Sequence, residues 1–355
     1  MANNAASPKV KILLNGTEVP PSNFQSYVVD RDMFQPDMAS VVLSNQGDIY
    51  SATKCGDSLE IKVGDDDTTV FKGDIVGVEP TYRGAEKTRI LLRGMNRLHR
   101  LIRQRKSKTF TEMTDKDILS SIAGAAGLQL DFKHDVAITY KHVYQHNQTD
   151  LEFLRTRAAR IGAHVWCVDQ KLHVWKPDLG SAPVAELKVD ESSESGALLS
   201  FSPRLSSAAI VKKVTVKGWD PEKKELIEGT ATCENSKLGK ENAAVASGDL
   251  AGEVTYTVDH PIWSVEEANA IAKARMMDAA LSFITGEAEA KGDAKFELGK
   301  VVKIIANAEQ DASNDPFNGK YYIMGVTHRM ANSKAKDSGQ YTTILKLARD
   351  AQKDG

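Results

Sequence analysis

Gly56-Asp57-Ser58-Leu59-Glu60-Ile61 recurs, in altered form, as Gly299-Lys300-Val301-Val302-Lys303-Ile304. The first copy runs on to Phe71-Lys72-Gly73, then Gly77-Val78, then Thr88-Arg89-Ile90-Leu91. The second runs on to Phe317-Asn318-Gly319, then Gly325-Val326, then Thr343-Ile344-Leu345. Each copy reads strand, loop, Phe-x-Gly turn, strand, loop, strand. The spacing from Phe-x-Gly to Gly-Val differs by two residues between the copies, which keeps each side chain on the same face of its strand. Leu59, Ile61 and Val63 alternate with Glu60 and Lys62, the period of a half-buried strand. A duplicated block of this kind predicts two similar antiparallel, tube-like β-barrels in one chain.

The flanking sequence fits that expectation. Lys9 to Leu14 ends at Asn15-Gly16, a hairpin pair. Short strands follow at Phe24 to Val29, Ala39 to Leu43, Thr68 to Phe71, Asp74 to Val78 and Thr88 to Leu92, with a loop at Gly64 to Asp67. The pattern then turns helical. Thr114 with Asp117, Thr149 with Glu152 and Ser264 with Glu267 each form a predicted capping box. Ile118, Leu119, Ile122 and Ala126 make one apolar helix face, stopped by Gly127. Leu151, Leu154, Ala158 and Ile161 make another, stopped by Gly162. A hairpin is expected from Ala163 to Val168 and Lys171 to Trp175. The longest helix should run from Ser264 to about Phe283, with Val265, Ala268, Ala272, Met276, Ala279 and Phe283 inward. Ile210 to Trp219 reads as a strand, residues 232–257 as irregular, and strands resume at Phe296 to Ile305, Tyr321 to Arg329 and Tyr341 to Leu347. The fold class is therefore mainly β with α+β parts: two similar barrels plus two smaller α/β domains. The expected boundaries are 1–100 for the first barrel, 101–180 for an α/β domain, 181–231 with 291–350 for the second barrel, 232–290 for a helical and irregular insertion, and 351–355 for a frayed tail.

Composition narrows the function classes. The 355 residues carry 46 basic and 48 acidic side chains, a net charge of -2, which argues against a nucleic-acid coat and against an acidic tail. No apolar run approaches the ~20 residues of a membrane span, so membrane insertion is not expected. Residues 1–7 are small and polar, with neither a basic start nor an apolar stretch, so no secretory leader is expected. Cys55, Cys167 and Cys233 are odd in number and far apart, which points to reduced thiols and a bacterial-type cytoplasm. Two similar barrels per chain have a geometric consequence: three chains around a threefold axis present six, a pseudo-sixfold ring able to meet a true sixfold one.

Val143-Tyr144-Gln145-His146-Asn147-Gln148-Thr149-Asp150-Leu151-Glu152-Phe153-Leu154-Arg155, followed by Ile161-Gly162 and Lys171-Leu172-His173-Val174-Trp175, resembles the late-control protein D family of phage tails. Phe317-Asn318-Gly319, Tyr321-Tyr322-Ile323, Gly325-Val326-Thr327-His328 and Tyr341-Thr342-Thr343 are similar to that family's final barrel. The resemblance implies a baseplate hub of a contractile injection machine: a phage tail, a tailocin, or the hub part of a type VI secretion VgrG spike. It implies a homotrimer that adapts the sixfold tail tube to the threefold central spike, in the virion tail baseplate or tailocin particle. The implied partners are a second and third copy, the tail tube protein, a central spike protein and baseplate wedge proteins, with the tape-measure protein as a further candidate. Fused secretion spikes continue past the second barrel, whereas this sequence ends at Gly355; a separate spike protein is therefore expected. The competing readings are a tail-associated peptidoglycan-degrading enzyme and a secreted carbohydrate-binding module.

No catalytic, cofactor-binding or metal residue is expected, and no cofactor. His142 and His146 stand four apart with no glutamate after His142, which is not the zinc-protease pattern. His164, Cys167 and His173 sit across the predicted hairpin but lack a fourth ligand. Thr149, Asp150 and Glu152 are accounted for by helix capping. Arg97, Arg100, Arg103, Arg105, Lys106 and Lys108 form a basic run. We read it as a solvated linker, against the sharper alternative of a positive band near a central channel.

Overall fold

A computed structural model describes residues 8–83, 86–189, 198–258, 260–307, 315–331 and 340–353. The leader expectation for residues 1–7 lies outside them. Strand β1 (Val10–Leu14) turns through Asn15 and Gly16, at φ +49° and +82°, into β2 (Thr17–Glu18). Both turn residues are left-handed, as a two-residue hairpin requires. Then come β3 (Phe24–Asp32), β4 (Met38–Ser44), β5 (Ser58–Val63), β6 (Thr68–Arg83) and β7 (Glu86–Met95). The middle of the chain holds β8 (Arg105–Thr114), α1 (Asp115–Ala125), β9 (Gln129–Lys133), β10 (Thr139–Thr149), α2 (Asp150–Arg160), β11 (His164–Val168) and β12 (Lys171–Trp175). After β13 (Glu186–Lys188) and β14 (Leu198–Leu205) follow β15 (Val211–Asp220), β16 (Glu225–Thr232), β17 (Glu241–Asn242), α3 (Ala243–Ser247), β18 (Gly252–Thr257) and α4 (Val265–Leu281). The chain closes with β19 (Ile284–Lys291), β20 (Val301–Ile305), β21 (Gly319–Ala331), β22 (Gln340–Arg349) and β23 (Ala351–Gln352).

The chain is mostly β, and thirteen strands form one large curled sheet. Its order is β14-β19-β22-β21-β3-β4-β7-β6-β5-β1-β2, with β20 on β21 and β13 on β20. One core, around Leu59, Ile61, Phe71 and Leu92, lies under the N-terminal strands; another, around Tyr321, Tyr322, Phe296 and Leu345, lies under the C-terminal ones. A third packs α1 and α2 on their strands, and a fourth packs α4 on β15 and β16. Among the described residues no helix is long and apolar enough to cross a membrane.

The duplication holds strand by strand. Ile61 faces Phe71 and Leu59 faces Gly73, as Ile304 faces Gly319 and Val302 faces Tyr321. Against β7 and β22 the register shifts at the same place, between Ile75 and Gly77 and between Ile323 and Gly325. Gly56 N–H donates to Ile75 O and Ile75 N–H to Asp57 O, both at 2.8 Å. Gly299 N–H donates to Ile323 O at 3.0 Å and Ile323 N–H to Lys300 O at 2.9 Å. Both glycines have positive φ, +96° and +77°, which a Cβ would strain. Even the shift between Phe24 and Ser26 in β3 returns between Leu198 and Ser200 in β14. Five strands, β3 to β7, thus match β14 and β19 to β22.

Several expectations need correction. The two Phe-x-Gly sequences are not equivalent, because the common register pairs Phe71 with Gly319. Phe71-Lys72-Gly73 is no turn either: it lies inside the 16-residue strand β6. Gly73 is bare because a Cβ there would sit 2.1 Å from Met95 O. Residues 211–232 do not join the large sheet; β15 pairs with β16 and β18 in a sheet of three, and residues 252–257 are its third strand rather than irregular. The large sheet takes β19 instead, from the segment assigned to the insertion. The alternation of apolar and polar residues is the same for either sheet, so it could not choose between them. In α4, Val265 is exposed, and Ile271 and Ala274 are buried beside Ala268, Ala272 and Met276. Ser264 caps Glu267 N–H, but the Glu267 carboxylate accepts from Trp263 N–H, one residue further back than a capping box. The tail is not frayed at Ala351 and Gln352, which pair with Asn242 and Glu241.

Gly229 lets α4 lie on β16: a Cβ there would be 2.4 Å from backbone atoms of Ala268 and Asn269. Gly229→Ala should therefore destabilise the protein by about 1–3 kcal/mol. Gly124→Ala, in α1 with nothing within 4 Å of the new methyl, should stabilise it by up to about 1 kcal/mol. Urea unfolding midpoints of the two variants check both signs.

Candidate functional site: the sheet junction and its open edges

Among the described residues the two matching halves share one strand pair, where β21 lies antiparallel on β3 from Gly325 opposite Asp32 to Ala331 opposite Ser26. Thr327 Oγ1 donates to Asp30 at 2.8 Å and Lys346 Nζ reaches Asp32 at 2.6 Å across the joint. Val326, His328 and Met330 point inward and are buried, as are Arg31, Val29 and Tyr27 opposite them. His328 is sealed there with Tyr341 Oη at 2.9 Å and Thr343 Oγ1 at 3.2 Å from its Nδ1. Burial, helped by the charge of Arg31, pushes its pKa down to about 3. Beyond the joint, Met33 N–H donates to Met324 O at 3.1 Å and Phe34 N–H to Val165 O at 2.7 Å, so β3 hands directly on to β11. His164, on β11, packs between Phe34 and Tyr322 with its Nδ1 3.1 Å from the Tyr322 hydroxyl; burial pushes its pKa down to about 4.

The counterpart of β21 is β6, and the counterpart of β3 is β14. Among the described residues β14 pairs with β19 and no other strand, and β6 beyond Asp74 pairs with β7 and no other strand. Each half thus repeats the elements of the joint, yet the chain makes the joint once.

The residues weighed as chemical sites fall elsewhere. His142 and His146 are exposed on β10, and the His146 ring lies against Tyr144. His164, Cys167 and His173 do not converge: His173 stacks on Trp166 and bonds Asp131 at 3.0 Å, while Cys167 is buried with its thiol pKa pushed up to about 12. Among the described residues no three His, Cys, Asp or Glu groups cluster as a metal site would need. Thr149 and Glu152 close a capping box, and Asp150 accepts from Gln145 and Lys106. The basic run is not a linker. Arg97–Ile102 is a 3-10 turn with Leu98, His99 and Leu101 buried, and the rest enters β8. Arg100 pairs with Asp74, Arg105 with Glu152 and Lys106 with Asp150, so half of the six charges are matched within the chain.

The sequence model of the family described as the Alg8 N-terminal domain matches residues 8–332. The chain belongs to that family. It is not the late-control protein D family that the central block resembles, and its description names a domain and no reaction. No curated protein matches this chain by sequence. Solved structures do match it in fold. A tail protein from Neisseria meningitidis MC58 superposes with a TM-score of 0.72 at 16% identity, covering 97% of each chain. The 43 kDa tail protein of prophage MuSo2 from Shewanella oneidensis gives 0.70 at 12% identity, over 97% of this chain and 99% of that one. An Escherichia coli type VI secretion component, described as similar to the T4 bacteriophage tail proteins gp27 and gp5, gives 0.64 at 12%, over 97% and 78%. The Alg8 N-terminal domain family member therefore has the fold of phage tail and type VI secretion proteins.

The buried histidines make the joint sensitive to acid. His328 and His164 titrate below the ordinary value of 6.5 when folded, so the unfolded chain binds their protons first. Their contribution is complete above pH 6.5 and is lost as pH falls toward 4 and 3. His328→Gln should flatten the pH dependence of stability between pH 4 and 6, by up to about 1.4 kcal/mol per pH unit relative to wild type. Urea denaturation series at several pH values measure that slope.

Proposed function

We propose that this protein is a structural, non-enzymatic baseplate hub of a contractile injection machine, a homotrimer that matches a sixfold tail tube to a threefold spike. The observation that carries the reading is the duplicated five-strand unit, joined to its copy within one sheet. Each unit acts as one tube-like barrel: residues 10–95 form the first, and residues 186–205 with 284–349 form the second. The α/β segment 105–175 and the insertion 211–281 flank them. Three chains then present six near-equivalent units, which lets one rim meet sixfold tube rings while the threefold chain symmetry meets the spike. The resemblance of residues 143–155 to the late-control protein D family, and the tail-protein fold, support this reading. The partners are the tail tube protein, a central spike protein, wedge proteins and the tape-measure protein, in the baseplate of a phage tail or tailocin.

Light scattering of the purified full chain, with electron microscopy of the same sample, tests the proposal. It predicts three chains and a ring of six similar lobes. A monomer at every concentration overturns it. A lysis band on a peptidoglycan zymogram would overturn the non-enzymatic part and favour a tail-associated lytic enzyme.

A further inference from the structure

We infer that the outer edge of β6 and the outer edge of β14 are two sides of one interface, and that β6 of one chain pairs antiparallel with β14 of a second copy in a fixed register. The inference deepens the trimeric hub reading and rests on it. Its source is the joint already made inside the chain. Because β6 matches β21 and β14 matches β3, the pairs at the internal joint translate residue by residue. Val326 opposite Arg31 becomes Val78 opposite Leu205; Thr327 opposite Asp30 becomes Glu79 opposite Arg204. His328 opposite Val29 becomes Pro80 opposite Pro203; Arg329 opposite Val28 becomes Thr81 opposite Ser202; Met330 opposite Tyr27 becomes Tyr82 opposite Phe201.

Two observations fit this register. The first is exposure: Met330 is 8% exposed and its counterpart Tyr82 is 66%, and Arg31 is 6% against 38% for Leu205. These two positions are covered where the joint is made and exposed where it is missing, while Val78, Pro203 and Phe201 are half-buried. The translated inward row is Val78, Pro80 and Tyr82 against Leu205, Pro203 and Phe201, apolar on both sides. The second is charge. On the outward row Glu79, which already pairs with Arg93 of its own strand neighbour, meets Arg204 of opposite charge, where the internal joint has the Thr327–Asp30 hydrogen bond.

The prolines bear on the pairing without choosing its register. The Met33 N–H bond to Met324 O sets the alternation of the internal joint, so His328 and Val29 form a hydrogen-bonded pair. Pro80 and Pro203 therefore both stand where an edge N–H would point outward. A proline there protects a free edge from indiscriminate pairing. Set opposite each other, the two prolines take both bonds out of one pair and leave its two carbonyls without a donor, while the pairs on either side keep theirs. A slip of two residues would spread the same loss over two pairs, each with one carbonyl left without a donor.

Thr81 and Ser202 translate a non-hydrogen-bonded pair, the class in which cross-strand Cα atoms are closest. In a Cys55→Ser, Cys233→Ser background, Thr81→Cys with Ser202→Cys should oxidise to disulfide-linked dimers and trimers on a non-reducing gel. Thr81→Cys with Arg204→Cys, one slip away, should give at least tenfold less. Glu79→Arg should raise the trimer dissociation constant several-fold, and adding Arg204→Glu should restore it. If wild type is trimeric but the 81–202 pair does not cross-link, or the charge swap fails to rescue, the register is wrong and the hub reading stands. If wild type stays monomeric, both fall.

Discussion

A single strand, β21, serves two neighbours on the same side of itself. Its first residues, Gly319 to Tyr322, pair with β20 inside their own half, and from Gly325 onward it pairs with β3 of the other half. The register shift at Met324 separates the two duties. An extra residue in one strand bends it and increases its twist, which is what redirects the later part of β21 away from β20. Past that shift the two halves share hydrogen bonds, and Met330 and Tyr341 from one join Tyr27 and Val29 from the other in the core under the N-terminal strands.

The α/β segment is attached beside this joint. Phe34, the residue after β3 and Met33, is bonded to Val165, so the α/β segment is tied to the joint by backbone. Within that segment Arg157 is almost wholly buried, 2.6 Å from Asp115 and stacked over Tyr140, whose hydroxyl also donates to Asp115. A buried pair of this kind adds little net stability relative to an apolar core, but losing one partner leaves a costly bare charge. It therefore holds α1, β10 and α2 in one arrangement more than it strengthens them. The tail-protein fold thus consists of a stiff sheet with attached units whose positions are set by a few specific contacts.

A joint that uses equivalent elements once, in a chain that carries two sets of them, leaves a donor edge and an acceptor edge over. Head-to-tail contacts of that type either close into a ring or run on as a filament. A closed ring of any number of copies uses every edge; closure at three, the number proposed above, would yield two symmetries at once, three for the chain and nearly six for the repeated unit. The two halves are not identical: β1 lies antiparallel on β5, whereas its counterpart β13 lies parallel on β20.

Local chemistry was legible in the residues alone. Asn15-Gly16 turns where such a pair must, and Thr114 and Thr149 close their capping boxes with Asp117 and Glu152, because these contacts span only two to four residues. The existence of the repeat was legible too, since Gly56 and Gly299 keep a positive φ that other residues avoid. Its alignment was not. Phe71 and Phe317 look alike in sequence, but the bulges at Gly77 and Gly325 pair Phe71 with Gly319, and a bulge has no sequence signal of its own. Nor could sequence separate β15 from β19, because alternation reports that one face is buried and not which layer buries it. The same holds for the basic run, three of whose six charges are met by Asp74, Asp150 and Glu152 from distant elements. Sequence determined the turns, the caps and the fact of duplication, all set by short-range geometry; tertiary structure alone determined which strands share a sheet and which edges stay open, because pairing between strands far apart in the chain depends on bulges, register and layers that no local pattern encodes.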